Sequence, residues 1–201
     1  LSPAWPCLAQ SEAWVAPQKI VHHFAVDNPA VPERLRGETG PQEVTTGDGA
    51  TWRVARFADG AKDRVKGVWR LDPRGRHPWD KTQYCAGKRF LLSDDVLHLS
   101  ADQGNGVWVR TAAGVSHIEL VAMTLEEKAD HFEERIRLRH TRHGFVADSH
   151  LSTPGDLTTS RAVSTDNDGL WTAIYATAEC FRYAATRSPQ EIGRASCRER
   201  V

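Results

Sequence analysis

The segment "TDNDGLWTAIY" gathers the densest set of chemically able groups in this chain. Asp166, Asn167 and Asp168 stand directly ahead of an indole at Trp171 and a phenol at Tyr175. Carboxylates take up and release protons, and a flat indole offers an apolar face to a ligand. Asp and Asn are also the ordinary N-caps of helices, so at least one of the three is expected to serve the helix that follows. Three polar residues exceed what one cap needs. Asp148, His150 and Asp156 precede the cluster on a polar, turn-rich stretch of about two dozen residues, a length that usually marks a functional loop.

Other groupings narrow the chemistry by exclusion. His140 and His143 are three apart at the end of a helical pattern, but no Glu or Cys stands at a completing position, so no metal site is expected. Arg135, Arg137, Arg139 and Arg142 follow Glu126, Glu127, Glu133 and Glu134, which reads as a solvated, self-neutralising face rather than a phosphate grip. There is no P-loop, no GxGxxG and no GxSxG, so neither a nucleotide cofactor nor a serine nucleophile is expected, and no cofactor is assigned. With 26 basic and 26 acidic residues the chain lacks the positive excess that would hold nucleic acid or anionic lipid. A 40% hydrophobic, 26% charged composition is that of a globular chain, and no apolar run is long enough to span a bilayer. Cys7, Cys85, Cys180 and Cys197 form no CxxC pair, so buried thiols are expected rather than a zinc or disulfide framework, and the compartment stays open.

The elements that must position these groups change character along the chain. Residues 1–48 mix Pro, Gly and charge around one strand-like piece, "KIVHHFAV"; the start, "LSPAWPCLAQSEAWVAPQ", has neither the basic head nor the apolar core of a signal peptide. Residues 49–120 carry short alternating runs rich in aromatic and β-branched residues, separated by Gly, Asp, Asn and Pro, which predict half-buried strands with tight turns. Two Gly-Val-Trp runs, beginning at Gly67 and Gly106, lie one period of about 40 residues apart, the spacing of propeller blades. Gly104, Asn105 and Gly106 are expected to supply positive φ in a hairpin, and Trp108 to fill the wedge between neighbouring sheets.

From Met123 the period becomes helical. "TLEEKADHFEERIRLRHTRHG" opens with a capping-box pattern at Thr124 and Glu127, puts Leu125, Ala129, Phe132 and Ile136 on one apolar face, and reaches Gly144 as a left-handed stop. A second helix over "LWTAIYATAECFRYAAT" places Leu170, Ile174, Ala178 and Phe181 on one side. The expected class is therefore mixed β then α, partial β-propeller blades followed by a helical hairpin over residues 121–190, as part of a larger protein. The final run, residues 191–201 "EIGRASCRERV", resembles a translated sequencing-library adapter and is set apart from the fold.

The stretch from Trp79 through "LLSDDVLHLSAD" to "GNGVWVRTAAGVSHI" resembles the repeat of two-component-regulator-type β-propellers, found in bacterial ligand-sensing regions. The similarity implies recognition of a small ligand, carbohydrate above all, outside the cytoplasm, with a signalling or catalytic domain elsewhere in the full-length chain. The segment around "DNDGLW" is similar to the start of an α/α-toroid domain of glycan hydrolases and lyases, whose loops ahead of inner helices line a sugar cleft. That likeness implies Asp166 or Asp168 as a general acid or its orienting group, with Asp148 or Asp156 as a second carboxylate. For a lyase it implies His150 or Tyr175 as base. The candidates for ligand contact are Trp108, from the propeller-like part, and Asn167, Trp171, Tyr175 and His150, from the toroid-like part. Both classes, sensor and polysaccharide-degrading enzyme, stand open at this point, as does a propeller that binds another protein.

Overall fold

The computed structural model describes residues 18–59, 62–75 and 78–190. The expectations for Cys7, for the N-terminal stretch and for residues 191–201 lie outside the described residues. The described residues form twelve strands in four antiparallel sheets, and three α-helices, with the longer helices toward the end of the sequence. The chain divides into two compact units, Leu1–Leu125 and Glu126–Val201.

The first unit holds two four-stranded sheets. One runs β2 (Glu43–Thr45), β3 (Thr51–Asp59), β4 (Lys62–Leu71), β5 (Thr82–Cys85), a plain meander with the short helix α1 (Pro78–Lys81) between its last two strands. The other is ordered β1 (Gln18–Phe24), β8 (Gly114–Val121), β7 (Val107–Thr111), β6 (Val96–Ala101). Here three consecutive strands accept β1, from the start of the chain, along the far side of β8.

Alternation decides what each strand buries, because successive side chains point to opposite faces. Trp52, Val54 and Val68 on the first sheet and Leu99, Val107, Val109 and Ile118 on the second belong to one shared core, closed by Cys85 and Leu91. Burial pushes the Cys85 thiol above its usual value, as befits a small apolar filler, whereas Cys180 is exposed, contrary to the expectation of a buried thiol. A second, smaller core covers the outer face of the β1-β8-β7-β6 sheet, where Val31 and Leu35 pack with Val115 over Phe24 and Trp108.

Three sequence expectations are corrected here. Trp108 does not fill the space between the sheets; Val107 and Val109 do, and Trp108 points to the outer face, while Trp52 fills the shared core. The two Gly-Val-Trp runs occupy strands of different rank, β4 third in its meander and β7 second in its own, so their spacing is not the repeat from sheet to sheet. No closed ring of blades is formed among the described residues. Finally, positive φ is absent from Gly104, Asn105 and Gly106 and occurs instead at Gly67 and Gly114.

The two motif glycines are needed for different reasons. A Cβ on Gly106 would meet the Asp102 carboxylate and lie 2.8 Å from the backbone oxygen of Ile118, so a side chain there forces the strand apart. Gly67 has φ +81°, and a Cβ there would lie 2.6 Å from Cys85 O and 2.9 Å from Ala86 Cβ. Gly67→Ala is expected to destabilise the first unit by about 1–3 kcal/mol. Gly87, also at positive φ but with nothing within 4 Å of a Cβ, is the control: Gly87→Ala should cost less, and urea unfolding of the two variants separates clash from backbone strain.

The second unit begins with α2 (Leu125–Arg135), closed by a single π-turn over Ile136–His140. Two short hairpins follow, β9 (Thr141–Arg142) with β10 (Phe145–Val146), and β11 (Asp148–Leu151) with β12 (Ser160–Val163). The stretch expected to be loop thus contains paired strand. Gly144, expected to end the helix, instead turns the first hairpin together with His143, both at positive φ. Helix α3 (Asp168–Thr186) ends at Arg187 in the left-handed conformation, whose N–H bonds Tyr183 O.

The polar sides of α2 and α3 meet, and the apolar sides do not. Tyr175 donates to Glu133, which is buried, at 2.9 and 3.1 Å to its two oxygens, and Arg182 pairs with Asp130. Leu125, Phe132, Leu170, Ile174 and Phe181 are exposed, which reverses the arrangement their periodicity predicts. None of the described helices is long and apolar enough to cross a membrane.

Candidate functional site

Aromatic rings on a sheet can form a ligand platform only if register brings them together, and on the outer face of the β2–β5 meander it does. Glu43 pairs with Arg53, Arg53 with Trp69, and Trp69 with Tyr84, so one cross-strand row runs acid, guanidinium, indole, phenol. Trp69 and Tyr84 ring centroids are 4.7 Å apart, and Phe57 joins at 5.9 Å from Tyr84, edge to face, and 6.4 Å from Trp69. Phe57 and Tyr84 are 41% and 42% exposed, so the cluster lies open to solvent rather than closing into a core.

Beside the rings lies an open groove of about 310 Å³ lined by Gln42, Glu43, Arg53, Val54, Arg56 and Trp69. Its rim is preset. Gln42 donates to Leu97 O at 2.6 Å and accepts from Arg56 at 3.2 Å, fixing amide and guanidinium together. Tyr84 donates to Lys66 O at 2.6 Å. Burial and the charge of Asp94 push its phenol above the usual value despite Lys66, which keeps it a donor. An apolar stacking surface with amide, carboxylate and guanidinium at its edge can hold a flat, hydroxyl-rich molecule.

The residues singled out from sequence are placed differently. Asp168 is the first residue of α3, and its carboxylate reaches back to Thr165 N and Oγ1 at 3.1 and 3.0 Å and to Ser164 Oγ at 3.2 Å. Loss of solvation raises its carboxyl, but those bonds and the Arg142 charge outweigh it and hold the group below the usual carboxylate value. Asp168 is thus an ionised group with both oxygens engaged by the turn that precedes the helix, a poor proton donor. Asn167 occupies the N-cap position without a side-chain cap bond, its carbonyl accepting from Trp171 N at 3.0 Å. Asp166 is exposed on the turn, and Trp171 is exposed one turn into the helix.

Tyr175 is committed to Glu133, the acid that sequence reasoning passed over. His150 is exposed on β11 opposite Arg161. Asp156 caps a 3-10 turn by accepting from Thr158 N and Oγ1 at 2.9 and 2.6 Å, and Asp148 is exposed at the start of β11. Trp108, in the first unit, stacks on His117 with centroids 3.9 Å apart and planes 9° apart, and meets Phe24 at 5.7 Å. Its face is therefore covered by protein.

The platform escaped sequence reading because Phe57, Trp69 and Tyr84 lie on three strands and share no motif. The usable signal was the alternation in "VWRL" and "TQYC", which sets Trp69 and Tyr84 opposite the buried Val68 and Cys85. Comparison of the chain with known protein families, with curated proteins and with solved structures finds no match.

Proposed function

We propose that the first unit is a carbohydrate-recognition module of the sensor-propeller kind, and that its ligand lies on Phe57, Trp69 and Tyr84. The observation that carries this reading is the exposed aromatic cluster beside a groove with a Gln42–Glu43–Arg53–Arg56 rim. A pyranose presents an apolar C–H face to a flat ring and hydroxyls to the rim, the division of chemistry that this surface offers. Blade-like character is supported by two antiparallel four-stranded sheets. Each has a second strand that follows a turn closed by an Asp side chain, Asp48 accepting from Ala50 N at 3.1 Å and Asp102 from Gly104 N at 2.7 Å. The signalling or catalytic partner of such a module belongs to the same proposal.

The enzymatic alternative rests on the second unit, where a buried carboxylate, Glu133, is held by the phenol of Tyr175. Glycan-array screening followed by calorimetry separates the two. Trp69→Ala is expected to weaken glycan binding at least tenfold, since a central stacked aromatic typically contributes more than about 1.4 kcal/mol. Arg53→Ala should weaken it less. Retention of full affinity by a Trp69→Ala/Tyr84→Ala double variant would remove the platform, and loss only on Glu133→Gln would move the site to the helices.

A further inference from the structure

The geometry points to a divalent transition-metal site on the outer face of the β1-β8-β7-β6 sheet, formed by Nδ1 of His117, the Glu119 carboxylate and His22, with Asp102 behind His117. It is independent of the carbohydrate platform. His22 and His117 are direct cross-strand partners, and Glu119 lies two residues along β8 on the same face. His117 is buried, and the stacked Trp108 fixes the plane of its ring.

Asp102 determines which ring nitrogen is free. Its Oδ1 accepts Gly104 N–H at 2.7 Å and Gly106 N–H at 3.0 Å, and its Oδ2 lies 2.9 Å from His117 Nε2. An ionised carboxylate only accepts, so the ring nitrogen that faces it, Nε2, is the one that donates, and Nδ1 is the nitrogen turned toward Glu119. Nδ1 stands 3.4 Å from Glu119 Oε1. That is longer than the hydrogen bonds of about 2.7–3.2 Å found in proteins. It does match a shared cation: bonds of about 2.0–2.1 Å at tetrahedral angles put neighbouring donor atoms about 3.3 Å apart.

The other Glu119 oxygen is 4.0 Å from His22 Nε2, and the His22 side chain, half exposed, is free to turn inward as third ligand. Asp102, His117 and Glu119 each offer a donor atom within 4.8 Å of the others. A carboxylate on the remote nitrogen of a metal-bound His is the usual arrangement that orients such a ligand. Two imidazoles and one carboxylate select zinc, cobalt or nickel over calcium or magnesium, and leave a fourth position for water or a ligand oxygen. His23, next in sequence, bonds Ser116 Oγ at 3.0 Å and takes no part.

Zinc titration of the full chain by calorimetry tests the assignment, with circular dichroism confirming the fold of each variant. Wild type is expected to bind one zinc ion that Glu119→Gln loses or holds at least about tenfold more weakly. His22→Ala should weaken the same site, and His150→Ala and His143→Ala should leave it intact. Asp102→Asn is the sharper probe. An Asn can keep the turn bonds to Gly104 and Gly106, but its NH₂ then faces Nε2, which drives the His117 proton to Nδ1 and blocks the metal. Absence of zinc binding in wild type, equal binding in Glu119→Gln and wild type, or loss confined to the His143 or His150 variants would each overturn the proposal.

Discussion

Trp52→Ala lowers the stability of the first unit by about 3–5 kcal/mol, the cost of emptying a buried aromatic site. Trp52 is fully buried at the centre of the core shared by the two sheets. Its volume cannot be recovered by one neighbour, since the surrounding Val54, Val68, Leu99, Val107 and Ile118 are anchored on separate strands. Set against a total of about 5–15 kcal/mol for a domain, such a loss moves the unfolding midpoint far down. Urea unfolding should show the midpoint falling with the slope retained. Trp52→Phe should be much milder, because the indole N–H is buried without a partner and its removal relieves a desolvated donor. Trp79, 68% exposed on α1, supplies the comparison: if Trp79→Ala costs as much as Trp52→Ala, the packing described for the sheets is wrong.

Arg70 carries the second large effect. It is 4% exposed, and its guanidinium meets Asp48 at 2.6 Å and Asp72 at 2.9 Å. Removing one side of a buried, hydrogen-bonded ion pair typically costs about 3–5 kcal/mol, because the other side keeps its charge without solvent. Arg70→Met is therefore expected to be strongly destabilising, and adding Asp48→Asn to it should restore part of the loss.

The same network sets an acid limit. Loss of solvation raises the Asp48 carboxyl, but the Thr46 hydroxyl, the Ala50 N–H and Arg70 together hold it below its ordinary 3.8. A carboxyl depressed in the folded state releases its proton more readily there than in the unfolded chain. Its contribution is thus complete above the unfolded value and is lost as pH falls through the folded one. Stability of the first unit should be level from neutral pH to about pH 5 and drop below about pH 4, with Asp48→Asn flattening part of that drop. An unchanged acid profile in Asp48→Asn would contradict the assignment.

How far the sequence could be read depended on whether a residue's role was local. Strands such as "TWRVARFA" and "HLSA" were legible because alternation is a property of neighbours, and α3 was legible because its period is sustained. The hairpin of β11 and β12 was not, since "DSHL" and "SRAV" are polar and short, and only their mutual pairing makes them strand. Trp108 is expected between the sheets from the propeller-like repeat, whereas the pleat gives that face to Val107 and Val109. In the helices, periodicity located the apolar stripe correctly but not its partner, as Glu133, Tyr175, Asp130 and Arg182 draw the opposite faces together. Asp168, a candidate general acid by sequence, is instead occupied by Thr165 and Ser164 in the turn ahead of its helix. Both the aromatic platform and the His117 cluster join residues from separate strands, and such groupings exist only once register is set.

The pairing of β1 with β8 has a kinetic corollary. Gln18 lies opposite Val121, so this ladder closes the longest loop in the first unit. Such distant contacts must meet their chain-closure entropy before any stabilisation returns, which slows folding. A ribosome-bound chain has made β1 long before its neighbour emerges, and that strand waits unpaired, an edge-forming segment exposed to any other β-strand in reach. A permutant of the first unit alone, in which a short turn joins Val121 of β8 to Gln18 of β1, should therefore fold faster than the natural order.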